Sequence, residues 1–283
     1  MAFDPRLFKS LINNIDNNYI KYQISTDYYV LIPQITLDTP FIFSCFVLSI
    51  DGKLCYPNNR SGFAIAKYNK SATPEERQAD WWTLNLARSI SDAIIIGTNS
   101  LRTENGEYLP LITEPILQQS RILNCLAPIP TTIIMCRNLN NIDFNDKIFQ
   151  LTDYPVIIIC DNIDTYNLPF DVQYVMNANT LNKKQILIND SKNLVQLFKK
   201  LYQLGYQRIL NESPYYHHQL LTEYLLDEFW LNYSLVYIGG TEIATLGQNQ
   251  NAFTDQNHPE FTILTLEHIA NNFLFTRQKV IYE

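Results

Sequence analysis

The sequence predicts an α/β fold, a central mixed sheet flanked by helices, and three observations point there. Runs of β-branched and aromatic residues recur without polar alternation, the pattern of strands covered on both faces. Segments with apolar residues at helical spacing lie between those runs. The chain then finishes in longer strand-like runs, which predicts an antiparallel C-terminal region.

Taken in order, strands are expected at 28–32, 41–50, 93–96, 131–136, 156–160, 185–188, 208–210, 229–238, 261–266 and 272–280. Phe3, Leu7, Phe8, Leu11 and Ile12 suggest one short amphipathic helix near the start, and residues 1–38 read as an extension packed on a main domain of 39–283. Thr73-Pro74-Glu75-Glu76 is a strong helix start, with Thr73 as N-cap, Pro74 in the first turn and Glu76 closing a capping box. Ala79, Trp82, Leu86 and Ile90 follow at helical spacing. A second helix is expected to open at Ser191, with Leu194, Leu197, Phe198 and Leu201 as its stripe and Gly205 as its left-handed cap. A third is expected from Ser213-Pro214 to about Tyr224, with the Ser213 side chain capping it. Asn-, Gln- and Thr-rich stretches at 137–147, 177–184 and 247–258 read as surface connections.

Composition removes several function classes. Of 283 residues 46% are hydrophobic and 17% charged, so a large core is expected and global disorder is not. A net charge of -7 argues against nucleic acid or an anionic membrane as the main partner. No apolar run approaches the ~20 residues of a membrane span. The eight glycines fit neither G-x-G-x-x-G nor a P-loop. The five cysteines are odd in number and hold no C-x-x-C, which predicts free thiols in a reducing cytoplasm. His217, His218, His258 and His268 stand at no ligand spacing, so no metal is expected. Met1-Ala2-Phe3-Asp4-Pro5 has neither the basic segment nor the apolar run of a secretory signal.

Four stretches carry a resemblance. They are Phe46-Val47-Leu48-Ser49-Ile50-Asp51-Gly52-Lys53, followed by Arg60-Ser61-Gly62; Ala79-Asp80-Trp81 through Arg88 to Ser91-Asp92-Ala93-Ile94-Ile95-Ile96-Gly97-Thr98-Asn99-Ser100-Leu101-Arg102-Thr103-Glu104; Ile209-Leu210-Asn211-Glu212-Ser213-Pro214 with Leu226-Asp227-Glu228-Phe229; and Tyr237-Ile238-Gly239-Gly240 with Phe275-Thr276-Arg277. Together they resemble the pyrimidine reductases of riboflavin biosynthesis, covering roughly residues 39–283. The resemblance implies a dihydrofolate-reductase-like fold, NADPH as cofactor, a pyrimidine nucleotide as substrate and a homodimer formed through the C-terminal strands. The zinc motif of the deaminase partner domain is absent from this sequence, so any activity would be reductive.

The resemblance also assigns residues. Asp51 and Glu212 would be the catalytic carboxylates, Asp51 near the nicotinamide and Glu212 at the ribose or pyrimidine. Leu48, Gly97, Thr98, Ser100, Glu104, Ser213, Pro214 and Tyr215 would contact the cofactor, and Ser61, Arg88 and Glu212 the substrate, with Arg88 on its phosphate. Each residue also has a plainer role open to it. Asp51-Gly52 is a turn signal, Arg88 a cation offsetting a helix dipole, and Gly97-Thr98-Asn99-Ser100 ordinary turn punctuation. Three departures from the family matter. The family's Gly-Gly after the Glu is missing, with either one residue deleted before Ser213-Pro214 or Glu212-Ser213 in place of both glycines; Cys45 stands where bifunctional relatives carry Lys; and no Arg lies in Tyr108-Leu109-Pro110-Leu111. They leave open a homologue that binds a nucleotide or partner without turnover, or a reductase of another small heterocycle.

Overall fold

The computed structural model describes residues 3–35, 38–162, 173–175, 185–188 and 193–282. Its strands are β1 (Lys9–Asn13), β2 (Tyr19–Gln23), β3 (Tyr29–Pro33), β4 (Phe41–Ser49), β5 (Ala93–Gly97), β6 (Thr131–Asn138), β7 (Val156–Asn162), β8 (Gln173–Val175), β9 (Gln185–Ile188), β10 (Arg208–Asn211), β11 (Glu228–Ser234), β12 (Glu260–His268) and β13 (Phe273–Ile281). The helices are α1 (Ala64–Lys67), α2 (Pro74–Ile90), α3 (Thr98–Thr103), α4 (Pro115–Leu123), α5 (Lys147–Gln150), α6 (Leu194–Gln203) and α7 (Pro214–Thr222). Among the described residues the main sheet has the order β1-β12-β13-β11-β4-β10-β5-β6-β7-β9-β8, with β2 and β3 forming a separate hairpin.

The sheet is parallel from β11 through β4, β10, β5, β6 and β7 to β9 and β8. It turns antiparallel through β13, β12 and β1. This is the mixed sheet with a C-terminal antiparallel region that the sequence predicts. Successive residues point to opposite faces, and both faces are covered. Phe43, Ile94, Ile96, Ile134, Leu210 and Trp230 pack with Trp82, Leu86 and Ile90 of α2 on one side. Ile42, Ile95, Ile133, Ile157 and Ile209 pack with Leu197, Phe198 and Leu201 of α6 and Leu220 of α7 on the other.

The helix starts fold as their sequences specify. Thr73 Oγ1 accepts from Glu76 N at 3.2 Å while Glu76 Oε2 accepts from Thr73 N at 2.9 Å, closing the capping box. Gly205 sits at φ +97° just past α6, where a left-handed residue ends a helix without a Cβ penalty. The Ser191 start expected for this helix lies outside the described residues, as does 177–184; Asn193 caps α6 through Oδ1.

The N-terminal segment departs from its expected helix. A single 3-10 turn at Pro5–Leu7 leads into β1, which pairs antiparallel with β12. Phe3 and Phe8 still bury their rings against Trp82, at centroid distances of 5.6 and 6.0 Å. A few-residue helix would gain little alone, whereas a strand satisfies the open edge of β12. The strand expected at 28–32 forms as β3, in the hairpin rather than the main sheet. The run at 229–238 ends its ladder at Ser234, where Val236 N already bonds Ser234 O at 2.7 Å. No helix among the described residues is long and apolar enough to cross a membrane.

Candidate functional site

β4 and β10 are adjacent and parallel, so the chain leaves both at the same edge of the sheet. β5 and β6 end there too. Successive crossovers run outward from β5 in one direction and return to fill the positions beside β4 in the other. Such a reversal opens a crevice beyond the carboxyl ends of the strands. Here it is a cleft of about 1360 Å³. Its walls include Cys45, Phe46 and Val47 of β4, parts of the 54–63 loop, Gly97–Ser100 and Arg102–Glu104, Arg137 near the end of β6, and Glu212 through Tyr216. The 242–250 loop closes one side, tied to the 53–54 turn by the Leu54 N to Ala244 O bond of 2.9 Å.

Of the residues singled out from sequence, Gly97, Thr98, Ser100, Glu104, Glu212, Ser213, Pro214 and Tyr215 line this cleft. Leu48 does not: it is buried in a cluster with Phe46, Phe229 and Leu231. Ser61 is not on the wall, although its neighbours Arg60 and Gly62 are.

Asp51 lies outside the wall as well, and its carboxylate is already engaged. It accepts from Ser49 Oγ at 2.7 Å, Gly239 N at 2.7 Å and Ile238 N at 3.1 Å. Burial pushes its carboxyl up, but these bonds outweigh that and hold it below its ordinary value. Its observed work is to pin the 238–239 turn to the end of β4.

Arg88 and Glu212 meet each other instead of the open cleft. Arg88 has no exposed surface. Its Nε donates to Glu212 Oε1 at 2.7 Å and its Nη2 to Glu212 Oε2 at 2.8 Å, a bidentate pair. Nη1 donates to Leu111 O at 2.8 Å, and the Tyr108 hydroxyl donates to Glu212 Oε2 at 2.5 Å. Burial alone would lower the guanidinium's pKa; the Glu212 carboxylate beside it wins and raises it. Burial and Glu212 together push the Tyr108 hydroxyl well up, so it stays a donor.

Ser213 stands at the N-cap of α7 but makes no side-chain cap bond. Its N–H is taken by Asn211 Oδ1 at 3.1 Å, and its hydroxyl faces β5. A Cβ added at Gly97 would come 3.0 Å from Ser213 Oγ, so glycine at 97 permits the close approach of β5 to the start of α7. The expectation that Ser213 spends its oxygen on the first turn of the helix is therefore corrected, and that turn faces the cleft.

The sequence reading assigned no role to several residues on the wall. Arg60, Arg102 and Arg137 are exposed cations there. Arg102 Nη2 bonds Asn141 Oδ1 at 2.9 Å, and the Arg137 guanidinium lies 5.0 Å from the centre of the Tyr215 ring, bonded to its hydroxyl. Asp80 of α2 lines the floor and accepts from Asn232 Nδ2 of β11 at 2.7 Å. Burial pushes its carboxyl up to about 6, against the pull of the Asn232 bond. Cys45, beside it, is pushed well above its ordinary value by burial and by Asp80 and Glu212, so it stays a thiol. Behind the wall, His217 is buried with Nδ1 3.0 Å from Ser44 Oγ, and burial lowers its pKa to about 3. Among the described residues no group of three His, Cys, Asp or Glu side chains is placed to hold a metal ion.

No protein-family model and no curated protein sequence matches the chain. Solved structures do. A pyrimidine reductase-like protein from Corynebacterium diphtheriae superposes with a TM-score of 0.62 at 19% identity, covering 86% of this chain and 93% of that one. The diaminohydroxyphosphoribosylaminopyrimidine deaminase/5-amino-6-(5-phosphoribosylamino)uracil reductase of Thermotoga maritima gives 0.59 at 14% identity, covering 86% of this chain and 57% of that one. The riboflavin biosynthesis reductase of Saccharomyces cerevisiae gives 0.54 at 12%, covering 87% and 92%. The chain thus spans little more than half of the Thermotoga protein. At these identities the likeness shows the fold, the dihydrofolate-reductase-like sheet and helices of these reductases, the group whose motifs the sequence resembles.

Proposed function

We propose that the protein is an NADPH-dependent reductase of a pyrimidine nucleotide. The observation that carries this reading is the cleft at the reversal point of the sheet, edged by Arg60, Arg102 and Arg137 in a chain of net charge -7. Three exposed guanidiniums on one wall, beside Glu104 and Glu242, suit direct hydrogen bonds to a phosphorylated ligand. The likeness to reductases, one of them named for a phosphoribosylamino-uracil, supports the same class.

The donor set fits the cofactor. Arg102 and Arg137 would hold its phosphates, with the hydroxyls of Thr98 and Ser100 and the uncapped first turn of α7 beside them. When bound, NADPH would supply a hydride to the substrate. Arg60, next to Ser61 and Gly62, would take the substrate phosphate in place of Arg88, whose donors are committed. Phe63, Leu84 and Val47 would exclude water from the heterocycle. A homodimer and a cytoplasmic setting belong to the same reading.

Titration of the protein with NADPH should show saturable binding; none at millimolar concentration would overturn the reading. Arg102→Ala and Arg137→Ala should each weaken NADPH about tenfold, a loss in the range of one charge-assisted hydrogen bond. The bidentate Arg88–Glu212 pair favours one other reading, a homologue that binds the nucleotide without reducing anything. Its mark would be NADPH binding with no oxidation by any aminopyrimidine.

A further inference from the structure

The floor of the cleft holds two carboxylates with opposite circumstances. Glu212 is closed by Arg88 and Tyr108. Asp80 has no cation against it, and its one hydrogen bond among the described residues comes from Asn232 Nδ2. A carboxylate offers about four acceptor sites, so most of Asp80's capacity is unspent. It is also not fully covered, being half-buried on the cleft wall.

Asn232 adds a second, independent sign. It is 2% exposed on β11 and lines the same cleft, yet its Oδ1 is buried with no donor. Its Nδ2 must face Asp80 for that carboxylate to be satisfied at all, which leaves the amide oxygen orphaned. Such groups cost stability. This one persists where it fixes the Asp80 side chain in orientation, the usual arrangement of a ligand-binding carboxylate and its positioning partner. Val47, Phe63 and Leu84 line the same cleft, and the neutral Cys45 thiol lies within the influence of Asp80. An underused carboxylate with apolar side chains on the same wall calls for a ligand that brings N–H donors on an apolar body.

We propose that Asp80, held by Asn232, recognises the amidine edge of an amino-substituted nitrogen heterocycle, a ring N–H next to an exocyclic amino group, as the base of the substrate. The two N–H groups pair with the carboxylate as a fork. A ring edge that presents carbonyls on both sides of its N–H, as uracil does, sets an oxygen against Asp80 and is rejected. This rests on the reductase reading and narrows it: the pyrimidine that enters still carries the amino group between its ring nitrogens.

The test uses bases alone, without cofactor. Isocytosine, which has the amidine edge, and uracil, which lacks it, are titrated against the intact protein by tryptophan fluorescence and calorimetry. Isocytosine should bind saturably and at least tenfold more tightly than uracil. Asp80→Asn should weaken isocytosine at least tenfold while leaving the NADPH titration unchanged. Asn232→Ser should weaken isocytosine by a smaller factor, and serves as the second variant if Asp80→Asn melts early. Equal binding of the two bases, no binding of isocytosine, or an unaltered affinity in both variants would overturn the proposal. Failure of NADPH to bind while isocytosine discriminates as expected would sink the reductase reading and leave this one standing.

Discussion

Arg88 and Glu212 carry ligand chemistry and spend it on each other. A buried pair of this kind adds little net stability against an apolar replacement, but removing one partner strands the other, at about 3–5 kcal/mol. Arg88→Met should therefore lower the unfolding free energy by that order, read from urea melts; an unchanged midpoint would mean that the pair is dispensable to the fold. Other motif residues also turn out to join strands. Asp92 Oδ2 accepts from the N–H groups of Gln207 and Arg208 at 2.9 and 2.8 Å, and Asp227 Oδ2 from Ile42 N at 2.7 Å. His217 gives a pH signature. Its folded pKa of about 3 lies below the unfolded value of ~6.5, so the stability it permits is whole above pH 6.5 and is lost as pH falls toward 3. Relative to His217→Gln, the wild type should lose about 1 kcal/mol for each pH unit below 6.5, measured by denaturant melts at pH 6.5, 5.5 and 4.5. Asp80 escaped a functional assignment because sequence places it one position off the Ala79–Trp82–Leu86 stripe, where a solvated carboxylate is the ordinary expectation. Only the approach of β11 supplies Asn232 and encloses it.

At the level of elements, legibility followed how local the signal was. The start of α2 is written in four consecutive residues, and Thr73→Ala should cost about 1 kcal/mol in thermal or urea melts by removing one half of its capping box. α4 gave no stripe because its inward face is Leu117, Ser120 and Arg121. Arg121 Nη1 there donates to the carbonyls of Ser89 and Ser91 at 2.9 and 2.6 Å, so this helix docks through hydrogen bonds at the end of α2 and not through an apolar ridge. Phe3, Leu7, Phe8 and Leu11 repeat at 3–4 residues, a helical spacing, yet Lys9–Asn13 form β1. What decides its conformation is the ladder of β12, some 250 residues downstream, which no local pattern reveals. One side of the cleft was legible, because Gly97–Glu104 and Glu212–Pro214 carried readable motifs; Asp51 stands off the wall, and the closing loop at 242–250 carried none.

For the whole molecule, β1 and the β2–β3 hairpin clasp the antiparallel end of the sheet. Arg277 binds Glu228 at 2.9 Å and donates to Leu31 O at 2.6 Å, while Tyr19 donates to Glu228 Oε1 at 2.6 Å. Deleting residues 1–14 would bare the β12 ladder and the rings of Trp82 and Phe275 that Phe3 and Phe8 cover. The truncated protein should melt several degrees lower and associate with rising concentration, as read by light scattering. Unchanged melting and size would show that the clasp is decorative. The parallel order of the central strands was predictable from their unbroken apolar runs. Their spatial sequence was not, since β10 inserts between β4 and β5 from far along the chain.

That insertion has a consequence for synthesis. The wall of the cleft draws on residues from Cys45 to Gln250, so a nascent chain still on the ribosome owns β4, β5 and β6 long before their common edge encloses anything. Until β10 emerges, the sides of β4 and β5 that it will join lack their partner, and a half-made polypeptide is a template for stray pairing. The cleft can enclose a ligand only once the chain through Gln250 has been made.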